Sequence, residues 1–372
     1  MSVSLNGPIM PLYVQSLGIG PMEWGVLAAA WATGMFLLEW VWGSLSDTID
    51  RRWLIVLSAL SMSIICFLFT VRALIPLFVV VALLSGALGV AMGPTTRAYL
   101  ADESPEQSMG LYASLWWASF MLGQVLGPIA GTYIAQASSF EYSFYASSIL
   151  AVFLAFFVLW SFPVAAKRSG KKRETNLLSG MKLVFSLRSA RLLFLSAVLV
   201  FISRSLIITF LPLYASSIIM MSKLQVGILS ASISGTQLVS MPALGWLSDR
   251  FGRKRTAVIS YTIAGLLFLL YFLAKTIYQV FLVSIAVGVS LSGLFLLLAL
   301  VPTVASSGTY GKVIGTYGSC EDLGIIIGPI IYGFVWSSYG PIYMFAVCSL
   351  AQLLGAFLVL GIGTRVPDCF NR

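Results

Sequence analysis

The feature that most constrains this chain is a recurrence of apolar stretches about 20 residues long, the length a helix needs to cross a hydrocarbon core roughly 30 Å thick. They follow one another along almost the whole sequence with only short polar breaks. Of the 372 residues 59% are hydrophobic and 9% charged, against roughly 25% charged in a soluble domain, so a water-soluble fold is excluded. Inside lipid every backbone polar group must be satisfied within the structure, and stretches of this length then specify helices rather than strands. The reading is an all-α integral membrane protein with one short span and eleven full ones, over about 1–15, 21–47, 52–71, 74–100, 107–136, 141–163, 188–215, 223–248, 254–274, 276–305, 311–337 and 340–363.

The formal net charge of +9 would fit a nucleic-acid partner only if the basic residues lay together on a soluble surface. They are distributed by topology instead. Of the 22 Lys and Arg, all but Arg72, Lys223, Lys275 and Arg204 fall on one side of the predicted spans, and Arg204 lies within one. The positive-inside rule places that basic side, with the C-terminus, in the cytoplasm of a cell-membrane protein. The partners expected are therefore the lipid bilayer and a small molecule, with no nucleic acid. The long polar segment 165–187, with its Lys167–Arg173 basic run, reads as a cytoplasmic linker between an N-terminal half, 1–164, and a C-terminal half, 188–363, followed by a tail, 364–372. The first basic residue is Arg51, so no charged region precedes the first apolar stretch and no cleaved leader is expected.

Several chemistries are excluded by composition. There is no His, and Cys66, Cys320, Cys348 and Cys369 form no CxxC pair, so neither a metal nor a structural disulfide is expected. The Gly-x-x-x-x-Gly-Lys-Ser/Thr phosphate loop is missing, which leaves an ion gradient rather than ATP as the energy source. No nucleophile and base stand in register, so no enzyme activity and no cofactor are expected.

Sliding the second half back by about two hundred positions reveals an internal repeat. Pro11-Leu12-Tyr13 returns as Pro212-Leu213-Tyr214, and Gly25-Val26-Leu27 as Gly227-Ile228-Leu229. Gly43-Ser44-Leu45-Ser46-Asp47 returns as Gly245-Trp246-Leu247-Ser248-Asp249, and Gly123-Gln124-Val125-Leu126-Gly127-Pro128 as Gly324-Ile325-Ile326-Ile327-Gly328-Pro329. Two six-helix bundles related by a pseudo-two-fold axis follow, an arrangement that places a substrate site between the halves near the midplane. Both halves are present in one chain, so a monomer is expected to suffice.

With these residues in view the chain resembles the major facilitator superfamily over essentially its whole length. The loop after the second span, Gly43 to Arg52, and that after the eighth, Gly245 to Lys254, are similar to the family's G-x-L-a-D-R-x-G-R-[RK] signature. The second copy matches fully; the first has Thr48 for the Arg and Asp50 for the Gly. Gly123, Gly127, Pro128 and Gly131 resemble the antiporter-associated G-x-x-x-G-P-x-x-G-G pattern, with Thr132 in the last place and a second copy at Gly324, Gly328 and Pro329. Small residues spaced in this way also let two helices approach closely, and the second copy favours that reading for at least part of the signal. The Arg found in drug/proton antiporters four residues before Gly86 is Ala82 here. The motif pattern is nearest the drug/proton antiporter-like efflux branch.

The resemblance implies cytoplasmic gating. Asp47 with Arg51, helped by Asp102, would clasp helix eleven in the outward-facing state, and Asp249 with Arg250 and Arg253 would do the same at helix five. It also implies that the first helix lines the cavity, which makes Asn6 a candidate substrate contact. Ionisable groups at membrane depth are functional candidates in their own right. Arg204 lies about 20 Å and 15 Å from the two ends of its helix at 1.5 Å per residue. It either binds an anionic substrate group, for which its forked guanidinium is suited, or is neutralised by Glu321 or Asp322 of helix eleven. One of those carboxyls could take and release a proton during the cycle. Glu39, two turns before Asp47, is assigned to the cytoplasmic network. Helix seven has some ten residues more than the segment ending at Tyr13, so a start upstream of Met1 is expected. The function that follows is secondary active transport by alternating access, in the direction of ion-coupled efflux, with protons as the candidate coupling ion. The alternatives are an importer of sugars or organic anions, and a non-transporting scaffold or receptor derived from a transporter.

Overall fold

In lipid the hydrophobic effect does not drive helices together, so association falls to small residues that let backbones touch and to hydroxyls that bond across helices. The computed structural model, which describes residues 2–46, 48–71, 75–103, 109–161, 188–301 and 310–363, is built on both devices. The helices are α1 (Ser2–Asn6), α2 (Ile9–Ser16), α3 (Pro21–Leu45), α4 (Arg51–Leu68), α5 (Ile75–Gly89), α6 (Met92–Glu103), α7 (Met109–Ala137) and α8 (Phe140–Ser161). They continue with α9 (Arg188–Thr209), α10 (Leu211–Ser217), α11 (Lys223–Phe251), α12 (Arg253–Leu269), α13 (Ile277–Leu291), α14 (Phe295–Leu300), α15 (Tyr310–Tyr339) and α16 (Tyr343–Leu360). Among the described residues ten segments are long and apolar enough to cross a membrane. The other two spans are α1 with α2, which is short, and α11, whose run of Ser, Gly, Thr and Gln from 230 to 240 makes it more polar.

The spans expected from sequence are met, four of them as broken helices. The first bends at Gly7 and Pro8, the fourth at Val90 and Ala91, the seventh at Phe210, and the tenth through a 3-10 turn at Ser292–Leu294. Pro8 and Phe210 each stand at the N-cap of the following helix and lie 202 positions apart in the sequence, so the repeat extends to the break itself. The first span, Ser2–Ser16, remains shorter than its counterpart Arg188–Ser217.

By packing, the chain divides into two units, 1–173 with 208–235, and 174–207 with 236–372. These follow the two sequence halves except that the ends of the seventh and eighth spans, 208–235, pack with the first. The basic linker at 165–187 and the tail at 364–372 lie outside the described residues.

Inside the first unit α8 shows how these helices sort their residues. Ser143, Phe144, Ser147, Ala151, Ala155 and Val158 are buried at helical spacing, while Ile149, Phe153, Phe156 and Trp160 are exposed on the opposite side, Trp160 by 86%. Large apolar residues outside and small or hydroxylated ones inside is the distribution lipid selects. Ser148 Oγ shares a 2.7 Å hydrogen bond with Ser63 Oγ of α4, and Ser143 Oγ donates to Gly131 O of α7. The second unit does the same: Ser196 of α9 donates to Gly355 O and Ser203 to Cys348 O, both on α16.

The tightest crossings use the glycines of the repeated Gly-Pro motif. A Cβ at Gly127 of α7 would lie 2.7 Å from Ser4 Cβ and 2.8 Å from the Ser4 carbonyl carbon of α1, and one at Gly131 would strike Leu5 O. In the second unit a Cβ at Gly324 of α15 would lie 2.6 Å from Val198 O and from Phe201 Cβ of α9, and one at Gly328 would strike the Ser205 hydroxyl. Both copies of the motif therefore serve as helix–helix contacts. Gly324→Ala is expected to lower the melting temperature in detergent by several degrees, since backbone atoms must move to admit the methyl group. Gly245→Ala, where nothing among the described residues lies within 4 Å, is expected to leave it unchanged or raise it slightly, by the roughly 0.5–1 kcal/mol that separates Ala from Gly in a helix.

Candidate functional site

A helix ends in four carbonyls without intrahelical partners, at the negative pole of its dipole, where a cation is favourable. Each copy of the basic loop donates to carbonyls at or near such helix ends within its own unit. In the first, Arg51 Nη1 donates to Ala98 O of α6 at 2.6 Å and its Nε to Ser46 O at 3.2 Å, while Arg52 Nη2 donates to Leu159 O in the last turn of α8. In the second, Arg253 Nη1 donates to Ala299 O of α14 at 3.1 Å, and Lys254 Nζ to Ile362 O just past α16 at 2.6 Å. The donors correspond as 51 to 253 and 52 to 254, and the acceptors as 98 to 299 and 159 to 362, so the repeat is preserved at the level of single hydrogen bonds. These basic residues fasten the fourth and sixth spans to the third, and the tenth and twelfth to the ninth.

Asp249 of the second loop is less committed. Asp249 Oδ1 lies 3.8 Å from Arg253 Nε, with side-chain exposures of 72% and 48%; an exposed pair of this kind contributes about 0–1 kcal/mol. Arg250 lies over the Trp246 ring at 4.9 Å. Beside them, Met241, Gly245, Ser248, Phe295 and Leu296 help line a mainly apolar cleft of about 250 Å³ with Asp249 and Arg253 also in its lining. Gly43 and Gly245 have nothing within 4 Å of an added Cβ among the described residues, unlike the packed glycines of α7 and α15. Asp47 lies outside the described residues, and the side chain of Asp102 in α6 is likewise not described. Glu39 of α3 faces Arg97 of α6 at 3.7 Å, and Arg97 also lies 5.8 Å over the Trp116 ring.

At membrane depth the second unit brings two of the sequence candidates together. Arg204 of α9, half-buried, is acted on by the charge of Glu321 of α15, and its guanidinium carbon lies 5.9 Å from the Phe201 ring. The same carboxylate acts on Tyr317, one turn earlier on α15, and on Tyr261 of α12. Tyr261 Oη donates to Gly293 O at 3.1 Å. Tyr317 Oη is buried with no partner of full hydrogen-bond geometry, though it lies within interaction range of Glu321. Glu321 and Asp322 are both engaged with other groups. Arg204, Tyr317 and Tyr261, from three helices, thus lie within the field of Glu321, which keeps Glu321 the candidate partner of Arg204. Sequence analysis did not single out the two tyrosines. The spacing from Tyr317 to Glu321, one helical turn, was a usable signal, whereas Tyr261 is joined only by tertiary packing.

Asn6, the candidate contact on the first span, makes two side-chain hydrogen bonds. Its Nδ2 donates to Cys66 Sγ of α4 at 3.4 Å and its Oδ1 accepts from Ser147 of α8 at 3.0 Å, so both ends of the amide are used in tying the first span to the third and sixth.

The profile of the Major Facilitator Superfamily matches this sequence twice in succession, over residues 1–194 and 193–368. The chain belongs to the Major Facilitator Superfamily. It is a multi-pass membrane transporter built from two related halves. Among curated relatives it is 27% identical over 371 residues to the multidrug resistance protein MdtG of Enterobacter lignolyticus, covering 95% of this chain and 86% of that one. It is 28% identical to MdtG of Klebsiella pneumoniae, covering 95% and 88%. In fold it superimposes on the nucleoside transporter NupG with a TM-score of 0.80 at 16% identity, covering 97% and 96% of the two chains. A bacterial homologue of the human lysosomal transporter Spinster, in an inward-facing and occupied conformation, gives 0.77 at 13% identity, covering 97% and 90%.

The family signature explains where the first loop departs from the second. Gly252 of the second copy has φ of +93°, a backbone conformation that favours glycine. The first copy places Asp50 there with φ of −57°, and its carboxylate accepts from Arg52 N as the N-cap of α4. One loop starts its helix by a glycine turn and the other by a capping side chain, so the substitution keeps the helix start while changing the means.

Arg204→Met is expected to lower the melting temperature, because Glu321 then stays at membrane depth without its cation, a cost of about 2–3 kcal/mol. Arg204→Met combined with Glu321→Gln should recover more than half of that loss, which a double-mutant cycle on detergent-solubilised protein measures.

Proposed function

We propose that this transporter exports small amphipathic molecules across the cytoplasmic membrane, driven by a proton gradient, with its basic loops and C-terminus in the cytoplasm and one chain as the working unit. The observation that carries the reading is the cluster around Glu321. A carboxylate at membrane depth that has a guanidinium and two phenols around it can hold its charge against Arg204 or take a proton. A cationic or hydrogen-bond-donating group of a substrate competes with that proton for the same oxygens, and exchange of one for the other couples the two fluxes. Arg204 keeps the carboxylate ionised while substrate is bound, and Asp322 beside it completes the pathway. Asn6 on the first span stays a candidate contact, with one N–H and one lone pair of its amide engaged by Cys66 and Ser147. Export rather than import is supported by the Gly-Pro motif of α7 and by the multidrug resistance proteins among the relatives.

Alternating access is supported by the condition of the loop residues. Gly43 and Gly245 are small at places where no described neighbour needs them to be, and the exposed Asp249 lines an open cleft. Residues of this kind fit a second state in which another helix end docks against the loop. Asp249 and Asp47 would then accept from the free N–H groups of that helix, with Arg51, Arg250, Arg253 and Asp102 around them.

The test is flux in proteoliposomes under an imposed pH gradient, with a panel of lipophilic cations, organic anions and sugars. The expected result is uptake of one class that requires the gradient and stops when a protonophore collapses it. Gly245→Leu and Asp249→Ala should insert normally and slow that flux at least about fivefold, a loss of roughly 1 kcal/mol in the favoured docked state. Flux unaffected by the gradient would overturn the coupling, and full activity of both variants would overturn the docking.

A further inference from the structure

We propose that Lys223 and Gln136 form a reciprocal helix-end latch that gates the outer side of the transport pathway. This rests on the transporter reading above but is carried by separate residues, on the side opposite the basic loops. There α7 ends at Ala137 with unsatisfied carbonyls, and α11 begins at Lys223 with unsatisfied N–H groups. Each end is capped by a side chain of the other. Lys223 Nζ donates to Ala135 O of α7 at 2.9 Å, and the backbone N–H of Leu224 donates to Gln136 Oε1, also at 2.9 Å.

The surroundings fit the pair. The Lys223 ammonium lies 3.9 Å over the Phe140 ring at the start of α8, within reach of the charge of Glu141, whose Oε2 accepts from Ser139 Oγ at 2.5 Å. One turn further along α11, an added Cβ on Gly227 would lie 2.6 Å from Pro128 O and strike the Thr132 hydroxyl. Thr132 in turn donates to Pro128 O at 2.6 Å. The helices are therefore in contact at backbone distance behind the latch. A third bond reinforces the same region, where Trp24 Nε1 of α3 donates to Thr209 O at the end of α9 at 2.9 Å.

Two considerations make this a gate rather than a rigid joint. Lysine is scarce on this side, where Lys223 and Lys275 are the only ones the positive-inside pattern leaves. Both capped groups also sit at helix ends, where water can replace the lost partner, so the latch opens without stranding a polar group in lipid. Because α11 is continuous from Lys223 to Phe251, release of its outer end is coupled to its inner end beside Asp249.

The test measures distance rather than flux. Spin labels are placed on Tyr133→Cys of α7 and Ile228→Cys of α11, both exposed, after the native cysteines are changed to Ser. Double electron–electron resonance should show mainly the short separation in the parent. In Lys223→Met combined with Gln136→Leu the longer separation should rise at least about threefold in population. Lys223→Arg, which keeps a cation at the same carbonyl, should retain the parent distribution. An unchanged distribution in the double variant, with its melting temperature intact, would overturn the latch. This readout needs no substrate: failure of the transport reading would appear as absent flux with the distance shift preserved, and failure of the latch as unchanged distances with flux intact.

Discussion

The contact on which the rest depends is the glycine crossing of α15 over α9, with its counterpart of α7 over α1. In lipid, helices gain nothing by merely hiding apolar surface from one another, so the distance between two of them is fixed by how closely their backbones can approach. Gly324 and Gly328 set that distance against Val198, Ile202 and Ser205. Glu321 lies one turn before Gly324, and Arg204 lies within one turn of the contact points on α9. The crossing thereby holds a carboxylate and a guanidinium within each other's field at a depth where neither would be stable alone. Packing and chemistry are the same feature here, which is why a motif associated with transport direction also reads as a packing motif.

A second constraint acts at the helix ends. The basic side of the chain is where the third, sixth, ninth and twelfth spans begin or end, and the loop residues Arg51, Arg52, Arg253 and Lys254 meet carbonyls there. The basic residues of these loops thus join spans within each half. In the second loop Asp249 is exposed beside an open cleft, 3.8 Å from Arg253. Within the second signature Arg253 and Lys254 donate to carbonyls of their own half, while Asp249 stays largely exposed.

Much of this was legible in the sequence because lipid imposes simple rules. Span length, the one-sided distribution of Lys and Arg, and the two-hundred-residue repeat fixed the fold class and the number of spans before any contact was known. The breaks at Pro8 and Phe210 were less visible, since the prolines near them, Pro8 and Pro212, do not occupy equivalent positions in the repeat. Arg204 and Glu321 were legible as charges where none is expected, and the choice of Glu321 as partner required the geometry. The hydrogen bonds of Asn6 to Cys66 and Ser147 were not legible, because they depend on what neighbouring helices offer across the fold. Tyr261 and Gln136 are ordinary residues in sequence and acquire meaning only from the groups that reach them across the fold, whereas Lys223 stood out only by its side of the membrane pattern.

The central claim is that Glu321, held by Arg204, is where a proton and a substrate compete. The most direct measurement is proton release on substrate binding, read with a pH-sensitive dye in weakly buffered detergent solution, using the compound class that gives gradient-dependent flux. The account predicts about one proton released per substrate bound by the parent protein, and none by Glu321→Gln at saturating substrate. Equal release from both proteins would contradict it and move the coupling site elsewhere in the chain.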